Sequence, residues 1–454
     1  MDGTAIGVAV GFRRKRGVDS MMRRVVFAIL SLLGAPIHAS PPSVPGADAP
    51  ELAALGAYGV GFRSVTFTHR DQPDVENAQA DPSTVRLIDR NVQVDIWYPA
   101  NAKKGSKTVL YRGSLWAEPP FPPVTFTQKG IAVAGAPAAG RKHPLVIISH
   151  GYSNNPAVMT WLTENLASKG YVVAAIHHRD PNPYVVAPTT RAAPNFNRPH
   201  DIVFAAAQLR ATLGDLIAPD NIALIGYSQG GYGVLTAGGA TLDPAGPNMN
   251  AVAGGWLKKF ARGSADADAI KVPGVKAVVA LAPAGGAPSS AWGADGLAAL
   301  TAPLMLIHGD SDFTVDYKTG GLAVFGGAVN ADRYLLTYKQ AGHSIALNPA
   351  PSEMRGSVWD MDWFEDPIWR QDRINAINLH FISAFLAVHL QGDNSKDAYL
   401  KVATENSDDG VWNAPAGTPW GAYSPGGENV TLWKGFQQRH ARGMTLRYAP
   451  KTSD

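Results

Sequence analysis

Five unbroken apolar runs, at residues 145–148, 171–176, 222–225, 277–281 and 304–307, constrain the fold of this chain more than any other feature. A strand with one face in water alternates apolar and polar residues. A run with no polar break is what a strand buried on both faces looks like. Between the runs lie stretches of helical pattern at 161–168, closed by Gly170, and at 202–216. Strands that alternate with helices predict an α/β domain built on a mostly parallel central sheet with helices on both faces. Its working groups are expected at the carboxyl ends of the strands. Residues 65–68 and 92–98 alternate apolar and polar side chains instead, and predict antiparallel strands ahead of the parallel set.

Composition narrows the function classes. With 45% hydrophobic and 17% charged residues in 454, the chain has material for a large core and too little charge for disorder. It contains no cysteine, which excludes a disulfide scaffold, a thiolate metal site and a cysteine nucleophile. The net charge is +3, but residues 1–39 hold six basic and two acidic residues, which leaves residues 40–454 near −1. Nucleic acid is therefore not an expected partner.

Residues 1–39 read as a secretory signal peptide: Arg23 and Arg24, an apolar run over 25–35, then small residues up to Ala39. Met21 or Met22 could be the true start, and a secreted or periplasmic location is expected. The run is too short to span a bilayer, and no further membrane span is expected. Residues 40–58 read as a flexible Pro-rich segment and 59–392 as one catalytic domain. An insertion at about 241–272, rich in Gly, Ala and Pro, is expected to be cap-like, and 393–454 to be a C-terminal extension packed on that domain.

Gly226-Tyr227-Ser228-Gln229-Gly230 sits between the run at 222–225 and a helical stretch at 231–237. A strand that turns straight into a helix presents a serine at the tip of a strained turn, and small residues two positions either side let the backbone pass. Ser228 is the candidate nucleophile. A hydroxyl needs a base, and the base an orienting acid. Downstream, the run at 304–307 ends in His308-Gly309-Asp310-Ser311-Asp312, and the stretch 333–338 leads to Gly342-His343. His343 is the candidate base. Asp310, Asp312 and Asp316 compete for the acid; Asp312, just before a helix expected to open at Phe313, is preferred. The backbone N–H groups of Gln229 and Tyr152 are candidate oxyanion donors. Tyr152, Tyr227, Trp359 and Trp363 are candidate pocket walls. Adjacent His177 and His178 point to opposite faces of a strand, so no metal site is assigned.

Taken together, Pro144 through Gly151, the elbow at 226–231, Gly309 through Asp312 and Ala341-Gly342-His343 resemble an α/β-hydrolase. Within that superfamily the chain is similar to the dienelactone-hydrolase-like esterases related to plasma platelet-activating-factor acetylhydrolase. Lys169 through Ala174, Arg198 through Ile202 and Ala280 through Ala284 add to the likeness, which covers roughly 59–392. The resemblance implies serine-dependent ester hydrolysis through an acyl-enzyme, without a cofactor, on a small-molecule or polymeric ester. Two positions depart from it. Ser228 stands where true dienelactone hydrolases carry cysteine, and Tyr227 replaces the histidine common before the nucleophile. An amidase or peptidase on the same groups, or a non-catalytic binding protein of this fold, are the alternative readings. The oligomeric state is not legible in the sequence.

Overall fold

The computed structural model describes residues 42–452 except 78–84, 104, 118, 121, 141, 185–186 and 413–429. The leader expected at 1–39 lies outside the described residues. Twelve strands are described. β1 (Gly59–Pro73), β2 (Leu87–Ala100) and the short β5 (Val133–Ala134) precede the parallel set, and β3 (Leu110–Leu115) pairs only with β4 (Val124–Lys129). The parallel set is β6 (His143–Ser149), β7 (Val172–His177), β8 (Ile217–Tyr227), β9 (Val275–Leu281), β10 (Leu304–Gly309) and β11 (Arg333–Tyr338). With β12 (Met444–Ala449), β2, β1 and β5 they form a ten-stranded sheet in the order β12-β11-β10-β9-β8-β6-β7-β2-β1-β5.

The unbroken apolar runs are explained by what lies on each face. Val146 and Ile148 point into one core with Trp161, Leu162 and Phe381, whereas Leu145 and Ile147 point into a second core with Ile202, Leu209 and Val234. The first core lies under α1 (Thr160–Ser168) and α4 (Gln371–Leu386), the second under α2 (Pro194–Thr212) and α3 (Gln229–Ala237). Each face therefore demands its own alternate residues, and the sequence shows apolar side chains at every position. Trp161 is fixed further by its indole N–H, which donates to the Ala346 carbonyl at 2.8 Å.

Several expectations need correction. The helix expected at 202–216 begins eight residues earlier, at Pro194, and runs through Pro199. No helix opens at Phe313, which is 85% exposed in a run of turns; the next helix spans Gly321–Gly327. The insertion at 241–272 is not a cap over the strand ends: Met249, Val252 and Leu257 pack into the second core, and the segment lines no part of the cleft described below. The run Gln371–Gln391 is long and apolar enough to cross a membrane, contrary to the sequence reading, but it is mostly buried in the fold as a core helix. The extension after residue 393 supplies β12, which pairs antiparallel with β11 and closes that edge of the sheet.

Candidate active site

The chain passes from β6 outward to β7, then returns to the other side of β6 as β8, so the strand order switches between β6 and β8. In open α/β sheets a crevice forms at such a switch, outside the carboxyl ends of the strands. Here the loop after β6 and the turn after β8 lie side by side, with Ser149 in register with Gly226. Ser228 occupies the turn with φ 53° and ψ −117°, a conformation that costs a non-glycine residue on the order of 1–3 kcal/mol. The turn is held by the Ser228 N–H donating to Leu281 O at 2.9 Å, while Ser228 O accepts from Ala284 at 3.0 Å. The flanking glycines are required by close approach. A Cβ on Gly226 would sit 2.1 Å from Gly230 O, and one on Gly230 would sit 1.9 Å from Ser149 O.

His343 Nε2 lies 3.0 Å from Ser228 Oγ, and its Nδ1 lies 2.6 Å from Asp312 Oδ2. Both distances are in hydrogen-bond range. The second oxygen of Asp312 accepts from the N–H groups of Thr314 at 2.8 Å and Val315 at 2.9 Å. Burial pushes the Asp312 carboxyl up, but the His343 ring and the Val315 N–H outweigh it and hold the group below the ordinary carboxylate range. With the carboxylate ionised, the network assigns the imidazole proton to Nδ1 and leaves Nε2 free to accept. Beneath the imidazole lies the Tyr227 ring, 5.1 Å between centroids, and its hydroxyl donates to His343 O at 3.1 Å.

The other two aspartates stand elsewhere. Asp310 accepts from Gln340 N–H at 2.6 Å and so ties the loop after β10 to the loop after β11. Asp316 is exposed and bonds Thr319. His308 is fully buried, its Nδ1 on Gly309 O at 2.9 Å, and burial lowers its pKa.

A cleft of about 440 Å³ opens on Ser228, walled by Tyr152, Tyr227, Phe313 and Trp363. Trp363 is 38% exposed and its indole N–H donates to Asn154 Oδ1 at 3.1 Å. The Trp359 side chain lies outside what the structure describes. Gln229 turns its side chain away, Nε2 donating to Asn195 at 2.9 Å, and its backbone N–H opens α3 without an intrahelical acceptor. Among the described residues the N–H of Tyr152 also has no acceptor in the fold. Tyr152 lines the cleft, and Gln229 directly follows Ser228 in the chain.

Sequence reasoning missed three groups that fix these loops. Asp366 accepts from Gly342 N–H at 2.7 Å with one oxygen and from Ile368 and Trp369 with the other, which anchors the residue before His343. Arg198, with no solvent exposure, uses all five of its N–H donors. They reach Asp180 Oδ1 at 3.2 Å and Oδ2 at 2.5 Å, Ser149 Oγ at 3.2 Å, Gly151 O at 3.0 Å and His150 O. Asp180 in turn accepts from Ser153 N–H at 2.8 Å. The loop that carries Tyr152 is thus clamped on both sides. His178 behind it bonds Ser149 and Asp201; burial and the Arg198 charge lower its pKa to about 4 against the pull of Asp201, so it is neutral.

The family model described as platelet-activating factor acetylhydrolase, isoform II, matches residues 87–206. That stretch runs from β2 into α2 and includes the Tyr152 loop, Asp180 and Arg198, but ends before Ser228. No curated protein matches the chain. Sheet order, switch point and family match agree: the chain has the α/β-hydrolase fold, and over residues 87–206 it is similar to the family described as platelet-activating factor acetylhydrolase, isoform II.

Proposed function

We propose that the protein is an exported carboxylic-ester hydrolase that works through an acyl-enzyme on Ser228. The observation that carries this reading is the continuous chain of hydrogen bonds Asp312–His343–Ser228, at 2.6 and 3.0 Å, at the floor of a cleft. His343 Nε2 takes the hydroxyl proton as Oγ attacks the ester carbonyl, and the tetrahedral oxyanion forms against the N–H groups of Tyr152 and Gln229. The imidazolium, stabilised by Asp312, then protonates the leaving alcohol. A water activated by the same imidazole releases the acid and restores Ser228. Each step uses only the side chains and N–H groups of this chain. The leader at 1–39, with its two arginines and short apolar run, supports export.

Turnover of a short 4-nitrophenyl ester by the wild type and by Ser228→Ala tests the reading. We expect a loss of at least about a thousandfold, with an intact fold by circular dichroism. An organophosphate should add one phosphoryl group to Ser228, visible as a mass shift. Near-normal turnover by the variant would overturn the assignment.

A further inference from the structure

Tyr227 ends β8, one residue before the candidate nucleophile, and its ring meets the loops after two other strands. A Cβ on Gly151, in the loop after β6, would sit 2.9 Å from Tyr227 Cδ1 and 3.0 Å from Cε1, so the ring already lies against that glycine. The same ring stands 5.1 Å from the His343 imidazole, centroid to centroid, with 32° between the planes, and its hydroxyl donates to His343 O at 3.1 Å. Resting on the ester-hydrolase reading, we propose that Tyr227 is the positioning residue of His343: its ring supports the imidazole, its hydroxyl holds the main chain of the base, and together they keep Nε2 in reach of Ser228 Oγ.

A pocket wall offers surface to the substrate, and Tyr227 offers almost none. It is 3% exposed, against 85% for Phe313 and 38% for Trp363 on the same cleft. Its hydroxyl is already spent on His343 O. Burial, and after it the Asp312 charge, push the phenol far up, so the group keeps its proton and remains a donor.

The imidazole needs such support. Its two nitrogens are tied to Asp312 and Ser228, and two anchors still allow the ring to tilt about the line that joins them. A second ring packed against the imidazole opposes that tilt. The main chain of the loop is held by Asp366 on Gly342 N–H, by Ile345 N–H on His343 O at 2.8 Å, and by the Tyr227 hydroxyl. Of these three groups only Tyr227 belongs to the strand that carries Ser228, so it is the one that sets the base against the nucleophile. General-base catalysis depends on that separation, because the proton crosses only at hydrogen-bond distance.

The test compares Tyr227→Phe, which keeps the ring and removes the hydroxyl, with Tyr227→Leu, which also removes the support of the imidazole. Both are measured for kcat and KM on 4-nitrophenyl acetate, butyrate and hexanoate, beside urea unfolding. The far-downfield proton NMR signal of the His343 Nδ1–Asp312 bond, assigned by its absence from His343→Ala, is recorded for each. Because His343 O keeps Ile345 N–H, Tyr227→Phe should lose about three- to tenfold in kcat, the worth of one hydrogen bond. Tyr227→Leu should lose about a hundredfold, as expected for a base misplaced by about 1 Å. KM should stay the same on all three esters, and the proton signal of Tyr227→Leu should shift or broaden. A merely structural tyrosine would lower the urea midpoint and leave both kcat of the folded protein and the signal at their wild-type values. A pocket wall would instead raise KM by an amount that changes with acyl length. Either result would overturn the proposal. Should Tyr227→Leu not fold, Tyr227→Phe decides, and a kcat equal to wild type would overturn it. A wild type that cleaves none of the esters, no better than Ser228→Ala, would overturn the ester-hydrolase reading instead; the proton signal needs no substrate and still judges Tyr227.

Discussion

Replacing Arg198 with methionine separates what the buried arginine does for the fold from what it does for the proposed oxyanion site. Methionine fills similar length without a donor, so Asp180, 4% exposed at its side chain, keeps its charge and loses its cation. Breaking a buried pair in this way costs about 3–5 kcal/mol, a large share of the roughly 5–15 kcal/mol that stabilises a domain. Adding Asp180→Asn removes the stranded charge and keeps an acceptor for Ser153 N–H. Gly151 O retains donors in Asn154 N–H and the His150 ring, and Ser149 Oγ retains His178. The residual deficit is then mainly His150 O, left buried without its guanidinium, at about 1–3 kcal/mol. Urea unfolding should therefore show a large loss for Arg198→Met and a clear recovery for Arg198→Met/Asp180→Asn. Catalysis should not recover with it. The loop holding Tyr152 N–H has lost two carbonyl anchors in both variants, and losing one oxyanion donor outright costs about a hundredfold to a thousandfold in kcat. A displaced donor should cost at least about tenfold, with KM nearly unchanged. A double variant that regains stability and also turns over 4-nitrophenyl ester at the wild-type kcat would refute the positioning role of Arg198.

Asp312→Asn should lower kcat by several orders of magnitude, because an amide favours the wrong imidazole tautomer and cannot stabilise the imidazolium; Asp310→Asn should mainly lower the urea midpoint, and a reversed ranking in paired kinetic and unfolding measurements would move the acid role. Asp366→Asn should reduce kcat more than it reduces stability, since its oxygen holds the N–H next to His343; steady-state kinetics beside thermal melts would show it. Acid should destabilise the fold from about pH 6.5 downward. Burial, the largest influence on each, lowers His178 and His200 to about 4 and His380 to about 3 from an ordinary 6.5, so unfolding takes up three protons there. Glu164, raised by burial to about 7, releases one on unfolding and opposes them. The net uptake steepens the loss by about 1.4 kcal/mol per pH unit for each proton, and urea midpoints that stay flat from pH 7 to pH 5 would contradict it. Exported material should begin near Ser40 by N-terminal sequencing, whereas retention of residues 25–35 would favour an anchor.

What the sequence discloses and what it hides follow from how far each constraint reaches along the chain. The sheet is legible because burial on both faces leaves its mark at every residue of a strand, as at Leu145, Val146, Ile147 and Ile148. The elbow is legible because Gly226 and Gly230 answer a local steric demand within a few residues of Ser228. Ser228, Asp312 and His343 could be set on one edge because each follows its own strand, and parallel strands end on the same side. No helix opens at Phe313, although an Asp before a hydrophobic residue looks like a helix start, because Asp312 spends one oxygen on the Thr314 and Val315 N–H groups in a turn and the other on His343.

Nothing comparable marks the groups that hold the loops still. Asp366 acts on a residue 24 positions earlier, and Arg198 on an aspartate 18 positions before it and on carbonyls nearly 50 away. A lone carboxylate among tryptophans, or an arginine at the head of a helix, has no periodicity to distinguish it from a solvated charge. Its role exists only once the loops have been brought together. The same reasoning explains the insertion at 241–272. Its Gly and Pro content disfavours a long helix, yet composition carries no direction, and its apolar residues were equally suited to roofing a cleft or completing a core. The second core had space to fill beside α2, and Met249, Val252 and Leu257 fill it. The cleft is left to be walled by Phe313 from the loop after β10 and Trp363 from the loop after β11. Phe313, 85% exposed, has little packed around it, whereas Trp363, 38% exposed, is held by its indole N–H on Asn154. The rigid part of the site is thus the part the clamps hold, Ser228, His343, Asp312 and the Tyr152 loop, and substrate choice falls to the more exposed side chains at its rim.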